Sequence, residues 1–190
     1  MITREEQKKK RRNEILEAGL DLFIRRGYAA TKIVDIAKQV GMSTGLLFHY
    51  FESKEKLYEE LIKKGLSDSM SIMNDSEIDP LTFFEVTTNQ LLDFIKCKPT
   101  FSKYFVLMNQ AYYNESAPES VKNMIKDFDI YTPTSQLIKK GQENGSIRDG
   151  NPHALAIAFW SAISGIAEQM AKNPEYPCPE AEWIVDILRG

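Results

Sequence analysis

The sequence predicts an all-α protein: an N-terminal three-helix head containing a helix-turn-helix, and a larger C-terminal helical bundle, about nine or ten helices in total. Three observations lead there. Apolar residues recur at three- and four-residue spacing along nearly the whole chain, so each segment offers one face to a core. No run alternates apolar and polar residues as a half-buried strand would. Capping residues, prolines and glycines punctuate the chain at intervals of one helix length.

The first helix carries Ile15, Leu16, Gly19, Leu22 and Phe23 on one face, and Arg25-Arg26-Gly27 closes it. Thr31 reads as the N-cap of a second helix, buried through Ile33, Ile36, Ala37 and Val40 and ended by Gly41. Ser43 or Thr44 caps a third, very short helix that runs to about Tyr50 or Phe51. Ser53 caps a fourth, with Leu57, Leu61, Ile62 and Leu66 inward. Asp79-Pro80, Thr132-Pro133 and Asn151-Pro152 each place a capping side chain before a proline at a helix start, and Ser116 with Pro118 opens another helix less cleanly. Asn144-Gly145 and Asn173-Pro174 read as stops. We divide the chain into residues 1–53, the head, and residues 54–190, the helical body.

Composition excludes several classes. The opening "TREEQKKKRR" is polar throughout, unlike a secretory signal, and the longest apolar run, Ala154–Ala167, is interrupted by Ser161, Ser164 and Gly165 and too short to span a bilayer. Cys97 and Cys178 are far apart, which predicts free thiols in a reducing cytoplasm rather than a disulfide or metal framework. His49 and His153 are isolated, and no nucleophile–base pair or phosphate loop is visible, so neither an enzyme nor a metal or cofactor is expected. Charge is uneven: residues 1–56 hold 12 Lys and Arg against 8 Asp and Glu, whereas residues 57–190 hold 12 against 19. A basic front on an acidic body suits a polyanionic partner for the front alone, although the run Lys8–Arg12 reads by itself as a solvated arm.

Residues 31–51 sharpen this. A helix of about eight residues, a turn at Gly41 and a second short helix make a helix-turn-helix, with small Ala37 allowing a close crossing and Val40 and Leu47 filling the angle. Thr44, Gly45, Leu46, Phe48, His49 and Tyr50 are left on or near the outside, where such a motif meets the major groove. The segment "TKIVDIAKQVGMSTGLLFHYFESKEKLYEEL" closely resembles the DNA-binding signature of the TetR family of transcriptional regulators. The likeness is strong over about residues 11–66, with a weaker echo at "LIKKGQENGSIRDGNPHALAIAFWSAISGIAEQM". It implies a cytoplasmic homodimer that binds a palindromic operator, most simply as a repressor, under control of a small effector.

Carried over by position, the resemblance implies that Thr31 and Lys32 meet a backbone phosphate at the second helix's start. Thr44, Gly45 and Leu46 would approach base edges, His49 and Tyr50 would touch phosphate or a base, and Lys54 would contact phosphate. Phe48 stands where the family often has tyrosine, so apolar contact with a thymine methyl or a sugar replaces a hydroxyl–phosphate contact. Between 43 and 51 no Arg, Asn or Gln is present, which shifts specificity towards shape and backbone contacts.

In the body, Phe159, Ile163, Ile166 and Met170, with Trp183 and Ile187, are expected to form a two-fold four-helix interface. Aromatic density between 83 and 131 predicts gaps suited to a largely apolar effector. The candidate lining is Phe83, Thr87, Gln90, Phe94, Tyr104 and Met108, with Tyr112, Phe128 and Phe159. The competing reading is a helical ligand-binding or protein-interaction module without sequence-specific DNA binding, whose behaviour would be insensitive to salt.

Overall fold

The computed structural model describes residues 3–70 and 78–190, and among them every regular element is helical. The elements are α1 (Arg4–Ala30), α2 (Ile33–Gln39), α3 (Thr44–Phe48), α4 (Lys54–Met70) and α5 (Pro80–Cys97). They continue with α6 (Pro99–Tyr113), α7 (Glu119–Lys126), α8 (Tyr131–Glu143), α9 (Pro152–Lys172) and α10 (Ala181–Val185).

Local chemistry sets most of the boundaries. Thr3 and Glu6 form a reciprocal capping box at the start of α1. Gly27 breaks α1 with φ 76°, a left-handed value that glycine adopts without steric cost. Ser43 caps α3 by accepting from the Leu46 amide at 3.2 Å, and Ser53 caps α4 through the Lys56 amide at 3.1 Å. Asp79 and Asn151 cap α5 and α9, each followed by proline in the first turn. Two expectations are corrected. The N-cap of α2 is Lys32 and not Thr31, whose hydroxyl turns inward. α8 begins at Tyr131, ahead of Thr132-Pro133, because the Asp129 carboxylate accepts from the amides of Tyr131 and Thr132.

The core of the head unites α1 to α4 through Ile15, Phe23, Ile36, Leu47, Leu57 and Leu61. It continues into Tyr104 and Leu107 of α6 and Val121 and Ile125 of α7, so buried packing runs without a break past residue 53. A second cluster gathers Phe84, Leu91, Ile138, Phe159, Trp160 and Ile163 from α5, α8 and α9. By length and composition alone, α9 is long and apolar enough to cross a bilayer, contrary to the reading of its sequence. Its Ala156, Phe159, Trp160, Ile163 and Ala167 are buried against the neighbouring helices, and 33% of its most apolar window is buried in all.

Candidate nucleic-acid interface and inner cavity

The outward face of the head is built by the turn at Gly41 (φ 65°) and the short α3 that follows. Ile36, Ala37 and Leu47 are fully buried and fix the angle between α2 and α3. One turn of helix cannot hide every side, and so Leu46 remains 47% exposed and Phe48 46% exposed. Gly45 and His49 are exposed beside them, Thr44 is half-buried, and Tyr50 packs partly on the core. Leu46 and Phe48 thus give this surface two large, half-exposed apolar side chains. Gly45 is open beside them: an added Cβ would meet nothing within 4 Å, and its backbone is not in the left-handed region. Nothing inside the chain requires glycine there, whereas a partner approaching closely would.

The structure separates the predicted contact residues. Thr44, Gly45, Leu46, Phe48 and His49 share this face, Tyr50 borders it, and Lys32 is exposed at the start of α2. Thr31 does not belong with them. It is 1% exposed, and its hydroxyl donates to the carbonyl of Gly27 at 2.8 Å, with that of Leu22 at 3.1 Å, tying down the break in α1. Lys54 is likewise drawn inward. Its ammonium donates to the carbonyls of Tyr28 (2.8 Å) and Thr31 (3.1 Å) and lies 4.1 Å from the centre of the Tyr28 ring. Burial holds its pKa below the usual lysine value. Both residues therefore set the pose of α2 and α3. In the basic run, Arg12 forms an ion pair with Glu60 of α4 and stacks over Phe51, while Lys8, Lys9 and Lys10 are exposed.

The body holds a half-open cavity of about 690 Å³ walled by α4, α5, α6, α7, α8 and α9. Of the predicted lining residues, Tyr104, Met108, Tyr112 and Phe128 reach it. Phe83 and Phe159 are buried in the second core cluster, Thr87 is buried on α5, Gln90 is exposed, and Phe94 packs on the Phe101 ring, so these five do not line it. Its wall also holds Phe101 and Phe105, which belong to the aromatic stretch but were not among the expected lining, and Trp160, Lys122 and Lys126, which lie outside that reading. The amphipathic pattern of α7, with Val121 and Ile125 inward and lysines four residues apart, was the available signal. Gly65 of α4 forms part of the same wall, where a Cβ would lie 3.1 Å from the sulfur of Met108.

One helix therefore touches both places. α4 begins at Lys54 against the head and reaches the cavity at Gly65, about 16 Å along its axis. It is joined to α7 by Glu59, 4% exposed, which accepts from Ser120 at 2.5 Å and from Lys56 at 2.8 Å. These two partners, Lys56 foremost, hold the Glu59 carboxyl below the usual range.

The expected interface residues of α9 also separate. Phe159 and Ile163 are fully buried within one chain and Met170 nearly so, which removes them from any surface. Ile166 and Ile187 are half-buried, and Trp183 is 64% exposed. The outward strip of α9 is instead Ala154, Ile157, Ala158, Ser161 and Gly165.

Comparison with known proteins agrees with this architecture. Residues 15–61, from the core of α1 into α4, match the profile of the bacterial regulatory proteins of the tetR family. The HTH-type transcriptional regulator YfiR of Bacillus subtilis is 26% identical over 163 residues, covering 82% of this chain and 77% of that protein. The HTH-type transcriptional repressor KstR2 of Rhodococcus jostii is 41% identical over 58 residues, 30% of this chain and 28% of its own length. Among solved structures, AibR in complex with isovaleryl coenzyme A and operator DNA superposes with a TM-score of 0.64 at 19% identity, covering 93% of this chain and 94% of AibR. The helix-turn-helix segment, residues 15–61, is thus similar to that of the bacterial regulatory proteins of the tetR family, and the chain as a whole shares the fold of AibR.

Proposed function

We propose that the protein is a transcriptional repressor that binds a palindromic operator as a homodimer in the cytoplasm and leaves it when a small, largely apolar effector enters the cavity. The observation that carries this reading is the α3 face, where Gly45 is open to close approach and Leu46 and Phe48 are exposed beside it. Thr44, Gly45 and Leu46 meet base edges, Phe48 packs on a thymine methyl or a sugar, and His49, Tyr50 and Lys32 approach phosphate. Thr31 and Lys54 act behind them by fixing the pose of the helices. A second copy lies against the outward strip of α9. Gly165, mid-helix with open space around its Cβ position, supports a close helix crossing there. Two-fold pairing places two heads about 34–36 Å apart, one duplex turn. The effector acts through α4, which spans the distance from cavity wall to head, so that ligand and DNA compete for the pose of one helix. AibR, solved with a coenzyme A thioester and operator DNA, is a fold neighbour that combines both kinds of ligand.

The test is selection of bound sequences from a random duplex pool at moderate salt, run beside the Thr44→Ala, His49→Ala, Tyr50→Ala triple variant. A recovered palindrome that the folded variant fails to enrich is the expected result. Absence of enrichment by folded, dimeric wild-type protein overturns the DNA-binding reading and leaves a helical ligand-binding module.

A further inference from the structure

We propose that the cavity takes an amphipathic anion: an apolar or aromatic body seated against α4, α6, α8 and α9, with an anionic head held by Lys122 and Lys126 of α7. The inference rests on the effector-cavity reading above and deepens it by naming the ligand class.

The body of the ligand follows from the wall. Eight aromatic rings line the cavity, joined by Leu91, Met108, Ile125 and Ile130, and its volume lies in the ordinary range for small-molecule sites. Aromatic walls by themselves would equally suit a cation. The charges decide between the two.

Three charged residues line the cavity: Lys122, Lys126 and Asp129. The Asp129 carboxylate keeps its charge, but its Oδ1 already accepts from the amides of Tyr131 and Thr132 at the start of α8. The two lysines are one helical turn apart and therefore on one side of α7. Lys122 has only a long contact of 3.7 Å with the exposed carboxylate of Glu119. Lys126 makes no ion pair among the described residues. On the α4 side, Lys64 is exposed outside the lining, its ammonium 5.5 Å from the centre of the Tyr104 ring. Glu168 of α9 is occupied by the Asn109 amide. With two lysines against one carboxylate the lining carries a net charge of +1, so a cationic ligand is disfavoured, whereas an anion would gain charge-assisted hydrogen bonds from Lys122 and Lys126. The same α7 joins α4 through Ser120 and Glu59, so the lysines sit on an element already coupled to the head.

The experiment is displacement of a neutral apolar reporter, N-phenylnaphthylamine, followed by fluorescence on the full chain. Decanoate, decanol and decyltrimethylammonium serve as competitors of similar body and different head. Wild type is compared with the Lys122→Gln, Lys126→Gln double variant, and thermal melts confirm that both are folded. Decanoate is expected to displace the reporter at roughly ten-fold lower concentration than decanol, a difference of about 1.4 kcal/mol. The double variant is expected to lose that preference while its response to decanol stays unchanged. If the reporter binds but decanol or the cation competes as well as decanoate, the anion class is wrong and the apolar cavity stands. A preference that survives in the double variant overturns the assignment to these lysines. Failure of the reporter and of all three competitors to bind overturns the cavity reading and this inference together.

Discussion

Gly45→Ala separates what the fold needs from what the partner needs. Gly45 is the second residue of α3, has no left-handed backbone, and would place a Cβ in open space. Alanine therefore fits without strain, and relief of glycine's excess unfolded-state freedom should raise stability by about 0.5 kcal/mol, the low end for a helical site because the helix has only five residues. The same methyl would stand between α3 and the groove floor. Overpacking of a close interface costs about 1–3 kcal/mol, and an operator engages two heads, so affinity should fall at least about ten-fold. Urea unfolding measures the first effect; fluorescence anisotropy with the selected operator, at one fixed salt concentration, measures the second. The expectation is opposite signs in the two assays. Operator affinity within about two-fold of wild type would refute the close-approach reasoning, because one added methyl would then have met nothing. A loss of stability would refute the open-space reading instead.

Other substitutions probe the supports of the face. Thr31→Val keeps the side chain's shape but removes the hydroxyl that donates to Gly27, and should cost about 1–2 kcal/mol of stability. Operator affinity should weaken only together with that lost support, and a fall in affinity at wild-type stability would restore Thr31 as a phosphate contact. Gly141→Ala would put a Cβ 2.6 Å from two carbons of the buried Ile147 side chain and should cost about 1–3 kcal/mol in denaturant unfolding. A neutral effect would mean that Ile147 yields freely. Acid should weaken the fold through Glu59, Asp79 and Asp129. Hydrogen bonds hold all three carboxyls below their ordinary values: from Lys56 and Ser120, chiefly from the Thr82 amide, and from Thr132, respectively. Their contribution is therefore full above the unfolded values, about 3.9 for Asp and 4.3 for Glu, and is lost as pH falls through the lower folded values. Thermal melts should be flat above about pH 5 and drop below about pH 4, and a melting temperature unchanged there would contradict the assignment.

The sequence by itself determined the helical class, the head and the outward face of α3. Those features depend on residues close together in the chain: the caps at Ser43, Ser53, Asp79 and Asn151, the left-handed glycine at 41, and the spacing from Ala37 to Leu47. Tertiary structure decided which side chains are free to act. Thr31 and Lys54 carry the right chemistry for phosphate, but carbonyls exposed by the break at Gly27 lie within their reach and satisfy them inside the protein. Phe159 and Ile163 are apolar enough for an interface, yet the side of α9 that carries them is covered by neighbouring helices, and a less bulky side is left outward. Lys122 and Lys126 look like ordinary surface charge until α7 folds over the aromatic wall of α6. Periodicity records that a helix has a buried side. Which neighbour covers it, and what that neighbour leaves exposed, depends on contacts between residues far apart in the chain, and local pattern carries no record of those.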